Sequence, residues 1–141
     1  MQTSGSRCFV KFLPENFAGN DNCRNFADRY NHISMTAIEK RMIRALRETA
    51  QEVVPEDGQV WLYGSRARGD AHQESDWDLL ILLNKPFVTS QDEDDIAYPF
   101  VMTGWKNDMA VSPQLYTFEE WAARSFTPYH KNVEHDKVLI R

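Results

Sequence analysis

The sequence predicts an α/β domain, a small mixed β-sheet with helices packed on it. Three observations lead there. Val60-Trp61-Leu62-Tyr63 is a short run of β-branched and aromatic residues, stopped by Gly64. Trp77 to Leu83 is a second run, apolar at nearly every position, as a strand at the centre of a sheet must be when both its faces are buried. Ile38, Met42, Ala45, Leu46, Thr49, Ala50 and Val53 instead recur along one face of a 3.6-residue period, the mark of an amphipathic helix. A helix stripe and fully apolar strands in one chain are buried together by a sheet with helices laid against it.

The chain has 141 residues, enough for one domain with a core that needs no staples. Apolar residues make up 42% and charged residues 26%, an ordinary globular composition. The formal net charge of -5 argues against bulk, sequence-independent nucleic-acid binding, which needs a basic footprint. No stretch reaches the apolar length of a membrane span, and the first residues lack the apolar region of a signal peptide. Cys8 and Cys23 are too few for a disulfide framework and form no C-x-x-C pair, so two free thiols in a reducing cytoplasm are expected.

In chain order, residues 1–33 read as a poorly ordered extension ahead of a domain spanning 34–141. Only Phe9-Val10 and Phe12-Leu13 suggest a strand there. Thr36-Ala37-Ile38-Glu39 is a capping box for the first helix, with Ser34 as an alternative cap, and Pro55 and Gly58 end that helix. Arg41, Arg44, Arg47 and Glu48 form its solvated face. After the first strand, Ser65 occupies an N-cap position for the single turn Arg66-Ala67-Arg68, which Gly69 closes. Asn84-Lys85-Pro86 stops the second strand. Ser90-Gln91-Asp92-Glu93 caps a helix running to about Thr103, with Ile96, Phe100 and Val101 inward and Pro99 breaking or kinking it. The acids from Asp92 to Asp95 suit a helix start and need no metal. Met109 to Tyr116 forms a third strand, Thr117 to about Phe126 a capped helix, Thr127 to Val133 a helical turn, and Val138-Leu139-Ile140 a last strand. His72, His130 and His135 stand alone on polar segments and read as surface.

The chemistry concentrates between the first two strands. Asp76 and Asp78 point to one face of the second strand and Trp77 to the other. Two like charges roughly 7 Å apart on a strand entering a core repel each other and resist desolvation. A divalent cation resolves that conflict, and hard oxygens without Cys or His suit Mg²⁺ or Mn²⁺. Gly64 lets a ligand approach the backbone, Ser65 adds a hydroxyl, and free amides at a helix start favour an anion. A phosphate cradle beside a metal-binding pair outlines a nucleoside triphosphate site. Arg66 is the first candidate for a guanidinium at the phosphates and Arg68 the second.

Gly64-Ser65, ten residues, then Asp76-x-Asp78 resembles the G-S-x10-D-x-D signature of the minimal nucleotidyltransferases of the DNA polymerase beta-like superfamily. The resemblance covers Ser34 to Arg141. It implies Mg²⁺ on Asp76 and Asp78, the β/γ-phosphates on Gly64 and Ser65, Arg66 assisting, and transfer of AMP from ATP to a hydroxyl. Family members usually carry a third carboxylate on the third strand; here Ser112 stands at that position, with Asp108 four residues earlier as the nearest acid on that face. Water, a substrate carboxylate, Glu119 or Glu120 are the alternatives for filling the gap. Relatives are often paired with HEPN-type helical partners in toxin–antitoxin modules. A weakly catalytic nucleotide-binding module that caps such a partner is therefore the competing expectation, and a homo-oligomer stays open as another source of the acceptor site.

Overall fold

A computed structural model describes residues 35–141 of the chain. The extension, both cysteines and Ser34 lie outside the described residues. Helix α1 (Ala37–Val53) begins at the expected capping box: Thr36 Oγ1 accepts from the Glu39 amide at 3.2 Å, and the Glu39 carboxylate accepts from the Thr36 amide at 2.9 Å. Strand β1 (Gln59–Tyr63) leads through the one-turn helix α2 (Ser65–Arg68) into β2 (Trp77–Leu83). A short helix α3 (Ser90–Asp92), a π-helical turn Glu93–Ala97 and helix α4 (Tyr98–Lys106) then run end to end. Strand β3 (Val111–Thr117), helices α5 (Phe118–Ala123) and α6 (Pro128–Asp136), and the two-residue strand β4 (Val138–Leu139) complete the fold.

The sheet has four strands in the order β3-β2-β1-β4. β2 is antiparallel to β1 and parallel to β3, and β4 is antiparallel to β1, so the sheet is mixed as the sequence predicts. β2 lies inside it, and Leu79 to Leu82 are fully buried. On one face Leu62, Trp77, Leu79 and Ile81 meet Met42, Leu46 and Ala50 of α1 and Phe100 of α4. On the other, Trp61, Leu80 and Leu82 meet Phe118, Trp121 and Val133 from α5 and α6. Among the described residues no helix is long and apolar enough to cross a membrane.

Several elements differ from expectation for physical reasons. The third helix starts one residue early: Thr89 caps it with Asp92 as the reciprocal partner, because Lys85 Nζ fixes the Asp92 carboxylate at 2.6 Å. The helix outlasts Thr103, since Pro99 sits in the first turn of α4 and the π-helical turn before it absorbs the lost amide and the ring. Val101 is only partly buried, and Ile38, placed on the apolar face of α1, is 52% exposed. α5 stops at Ala123 and Phe126 is exposed. His130, expected at the surface, is partly buried: its ring lies 4.5 Å from that of Trp121, tilted by 30°.

Gly104 marks where α4 is pressed closest to β3. A Cβ there would lie 2.7 Å from the Met109 carbonyl oxygen and 2.7 Å from Val111 Cγ2. Gly104→Ala is expected to cost about 1–3 kcal/mol through overpacking, read as a lower urea midpoint at unchanged slope.

Candidate functional site

The site forms at one end of the sheet, where β1 ends and β2 and β3 begin. Tyr63 pairs with Asp78 across the antiparallel ladder, so the chain leaving β1 turns directly over that carboxylate. Gly64 makes the turn at φ 75°, ψ -158°, a conformation that favours glycine. A Cβ on Gly64 would lie 2.5 Å from Asp78 Oδ2. The backbone of the turn and the carboxylate are therefore in contact, and any side chain at residue 64 would push them apart. Gly64, not Ser65, is the N-cap of α2, and Ser65 is its first helical residue. The turn has no side-chain cap, which leaves its leading amides to other acceptors.

Asp76 and Asp78 share a face of β2, with Asp76 exposed and Asp78 half-buried. Burial first, then the charge of Asp76, pushes the Asp78 carboxyl above its ordinary pKa, while Arg68 pulls the other way. Ser112 pairs with Asp78 in the parallel ladder, and its hydroxyl donates to Asp76 Oδ2 at 3.4 Å. The structure thus brings together Gly64, Ser65, Asp76, Asp78 and Ser112. Asp108 is left out: β3 keeps a regular register from Val111, without the bulge that would carry Asp108 inward, and Asp108 sits exposed in a turn at φ 56°. Glu120 caps α5, its carboxylate accepting from the Thr117 amide at 3.0 Å. Among the described residues no three His, Cys, Asp or Glu side chains gather as a metal cluster. Two carboxylates and a hydroxyl nevertheless fit a hard divalent cation, and the raised pKa of Asp78 is the strain that such a cation relieves.

The two arginines of α2 divide. Side chains two residues apart on a helix point roughly 200° from each other, so only one can face the carboxylates. Arg66, expected at the triphosphate, is buried on the Trp77 side of β2, its guanidinium 5.0 Å from that ring. It donates to the Ser75 carbonyl at 3.1 Å and the Gln73 carbonyl at 3.3 Å, and pairs with Glu39 at 3.5 Å. Arg66 therefore fixes the loop that delivers Asp76. Arg68 is the arginine on the carboxylate side, held by Asp136 at 2.7 Å and Asp70 at 3.3 Å. Tyr63 and Tyr129, with hydroxyls 2.9 Å apart, border Asp78 as well, and burial raises both phenol pKa values. Neither Tyr129 nor Asp136 carries a local signal in the chain, because their positions arise from the docking of α6.

Asp78 ties charge to stability. Its proton is held more tightly in the folded than in the unfolded chain, so the stability it contributes is present at acid pH and lost as pH rises through the raised pKa. Asp78→Asn is expected to raise the thermal midpoint of the metal-free protein at neutral pH. The gain should shrink as pH falls through the raised folded-state pKa and vanish below about pH 4, where the unfolded carboxyl is also protonated. Scanning calorimetry across that range checks it.

The chain of a toxin–antitoxin crystallised with AMP-PNP superposes with a TM-score of 0.50 at 16% identity, over 70% of this chain and 72% of that one. A Sulfolobus solfataricus protein with a provisional nucleotidyltransferase designation gives a TM-score of 0.47 at 23% identity, over 77% of this chain and 89% of that one. No curated protein matches the chain. The model of the nucleotidyltransferase domain matches residues 43–138, from α1 to β4 and across every residue of the site, and the chain belongs to that family.

Proposed function

We propose that this protein binds ATP with Mg²⁺ or Mn²⁺ and transfers AMP to a hydroxyl of a protein or small-molecule acceptor, releasing pyrophosphate. The observation that carries the reading is the contact between the Gly64 turn and the Asp78 carboxylate. It sets a phosphate-sized backbone cradle directly against a metal-binding acid. Asp76 and Asp78 would hold the cation. Bound there, it would screen the triphosphate charge and lower the pKa of an attacking hydroxyl. The Gly64 and Ser65 amides and the Ser65 hydroxyl take the β- and γ-phosphates. In the transfer, the acceptor oxygen bonds to the α-phosphorus, the bond to the β-phosphate oxygen breaks, and the acceptor proton passes to solvent. Arg66 serves this site indirectly by fixing the Gln73–Ser75 backbone ahead of Asp76. The cation facing the phosphates is Arg68, whose charge already acts on Asp78.

A second reading rests on Ser112. A hydroxyl in the third acidic position leaves the acceptor side of the site short of charge, which favours a nucleotide-holding module that transfers slowly and caps a HEPN-type helical partner. The fold likeness to a chain from a toxin–antitoxin with AMP-PNP is consistent with both readings.

Titration calorimetry with ATP and Mg²⁺ is expected to show uptake that needs the cation and disappears in Asp76→Asn and Asp78→Asn. Absence of uptake by the native protein refutes both readings. Ser112→Asp is expected to raise basal pyrophosphate release from ATP about tenfold, equal to about 1.4 kcal/mol of barrier. An unchanged rate means that Ser112 does not stand in a missing carboxylate's place.

A further inference from the structure

Asp136 is the last residue of α6, and its side chain is only 10% exposed. Each of its two oxygens has a partner. Oδ2 accepts from Arg68 Nη1 at 2.7 Å, and Oδ1 lies 3.0 Å from His135 Nδ1. Burial raises the carboxyl's pKa, but the hydrogen bonds from His135 and Arg68 outweigh it and leave Asp136 below its ordinary value, hence ionised. The bond to Arg68 spans 68 residues and ties the end of α6 to α2, the turn that begins at Gly64.

Arg68 needs such a tether. Its side chain is 45% exposed, and it projects from a helix of four residues. An untethered arginine side chain has rotamer freedom to lose when a substrate must order it. Its other tether, Asp70, is 63% exposed and lies at 3.3 Å, so Asp136 is the shorter and better shielded of the two. With Nε turned to Asp70 and Nη1 to Asp136, Nη2 makes no hydrogen bond among the described residues. One edge of the fork is fixed while the other stays available.

We propose that Asp136 is a positioning residue for the nucleotide. It holds the Arg68 guanidinium, before substrate arrives, in the orientation that meets the β- and γ-phosphates. This makes the C-terminal helix part of the site, although it contributes no group that touches the substrate. The inference rests on the nucleotide reading above, and it follows the rule that fixed donors bind charge better than donors that must first be ordered.

The test compares ATP with AMP, each with Mg²⁺, by titration calorimetry on the full chain. Asp136→Ala is expected to weaken ATP about tenfold and leave AMP unchanged, because only ATP carries the phosphates that Arg68 meets. Arg68→Ala is expected to weaken ATP at least as much, and adding Asp136→Ala to it should cost nothing further, since one residue acts through the other. Where Asp136→Ala does not fold, Asp136→Asn is used, which keeps the shape and removes the charge. Unchanged ATP affinity in the variant overturns the proposal. Tighter ATP binding overturns it too, since Asp136 would then be a competitor for Arg68. Equal weakening of ATP and AMP with a lower thermal midpoint assigns Asp136 to the fold alone, again against the proposal. Failure of the native chain to take up ATP is a different result, and refutes the nucleotide reading itself.

Discussion

The arrangement depends on one close approach, the backbone of residue 64 against the carboxylate of Asp78. Here a missing β-carbon lets them touch, and the positive φ at Gly64 lets the chain turn as soon as β1 ends. The antiparallel pairing of Tyr63 with Asp78 sets the register, so a slip of one residue between β1 and β2 would put Trp77, not an acid, beneath the turn. The apolar core on both faces of β2 is what forbids that slip.

The rest of the site braces that contact. Arg66 does so from below: stacked on Trp77 and bonded to the carbonyls of Gln73 and Ser75, it holds the loop whose next residue is Asp76. Its link to Glu39 runs on to the cap of α1, so the start of the first helix and the approach to the acidic strand share one guanidinium. Removing it would take the donor from the part-buried bonds to the Gln73 and Ser75 carbonyls and the partner from Glu39 Oε1, a larger loss than an exposed arginine would represent. Arg68 braces the opposite side, between Asp78 and the end of α6. A four-residue helix thus serves as a two-sided connector, with one cation facing the core and the other on the side of the acidic pair.

Much of this was legible in the sequence. The all-apolar run from Trp77 to Leu83 could only be an inner strand, and alternation then put Asp76 and Asp78 on one face. Thr36 and Thr117 each precede a glutamate by three residues, and both form the reciprocal caps that this spacing implies. What stayed illegible was whatever depended on a contact from elsewhere in the chain. Thr89 and Ser90 both stand three residues before an acid, and the choice between them is made by Lys85. Arg66 and Arg68 carry the same charge on one turn, too short for a period to say which faces inward. Asp136 and Tyr129 have no local pattern at all, because their meaning comes from α6 docking beside Trp121.

The family resemblance sets Ser112 where relatives carry a third carboxylate, and the ladder places Ser112 opposite Asp78 with its hydroxyl on Asp76. A serine there changes the electrostatics in a definite direction. A third carboxylate would add repulsion to a pair in which Asp78 already resists ionisation, and would demand a cation more strongly. A hydroxyl instead donates to Asp76 and lowers the local negative charge. The metal-free site is thereby made easier to fold, and under the proposed function a metal-loaded site would be weaker at activating an acceptor than at holding a nucleotide. An acceptor or partner that brings its own negative or polar group to the Ser112 side would complete the site.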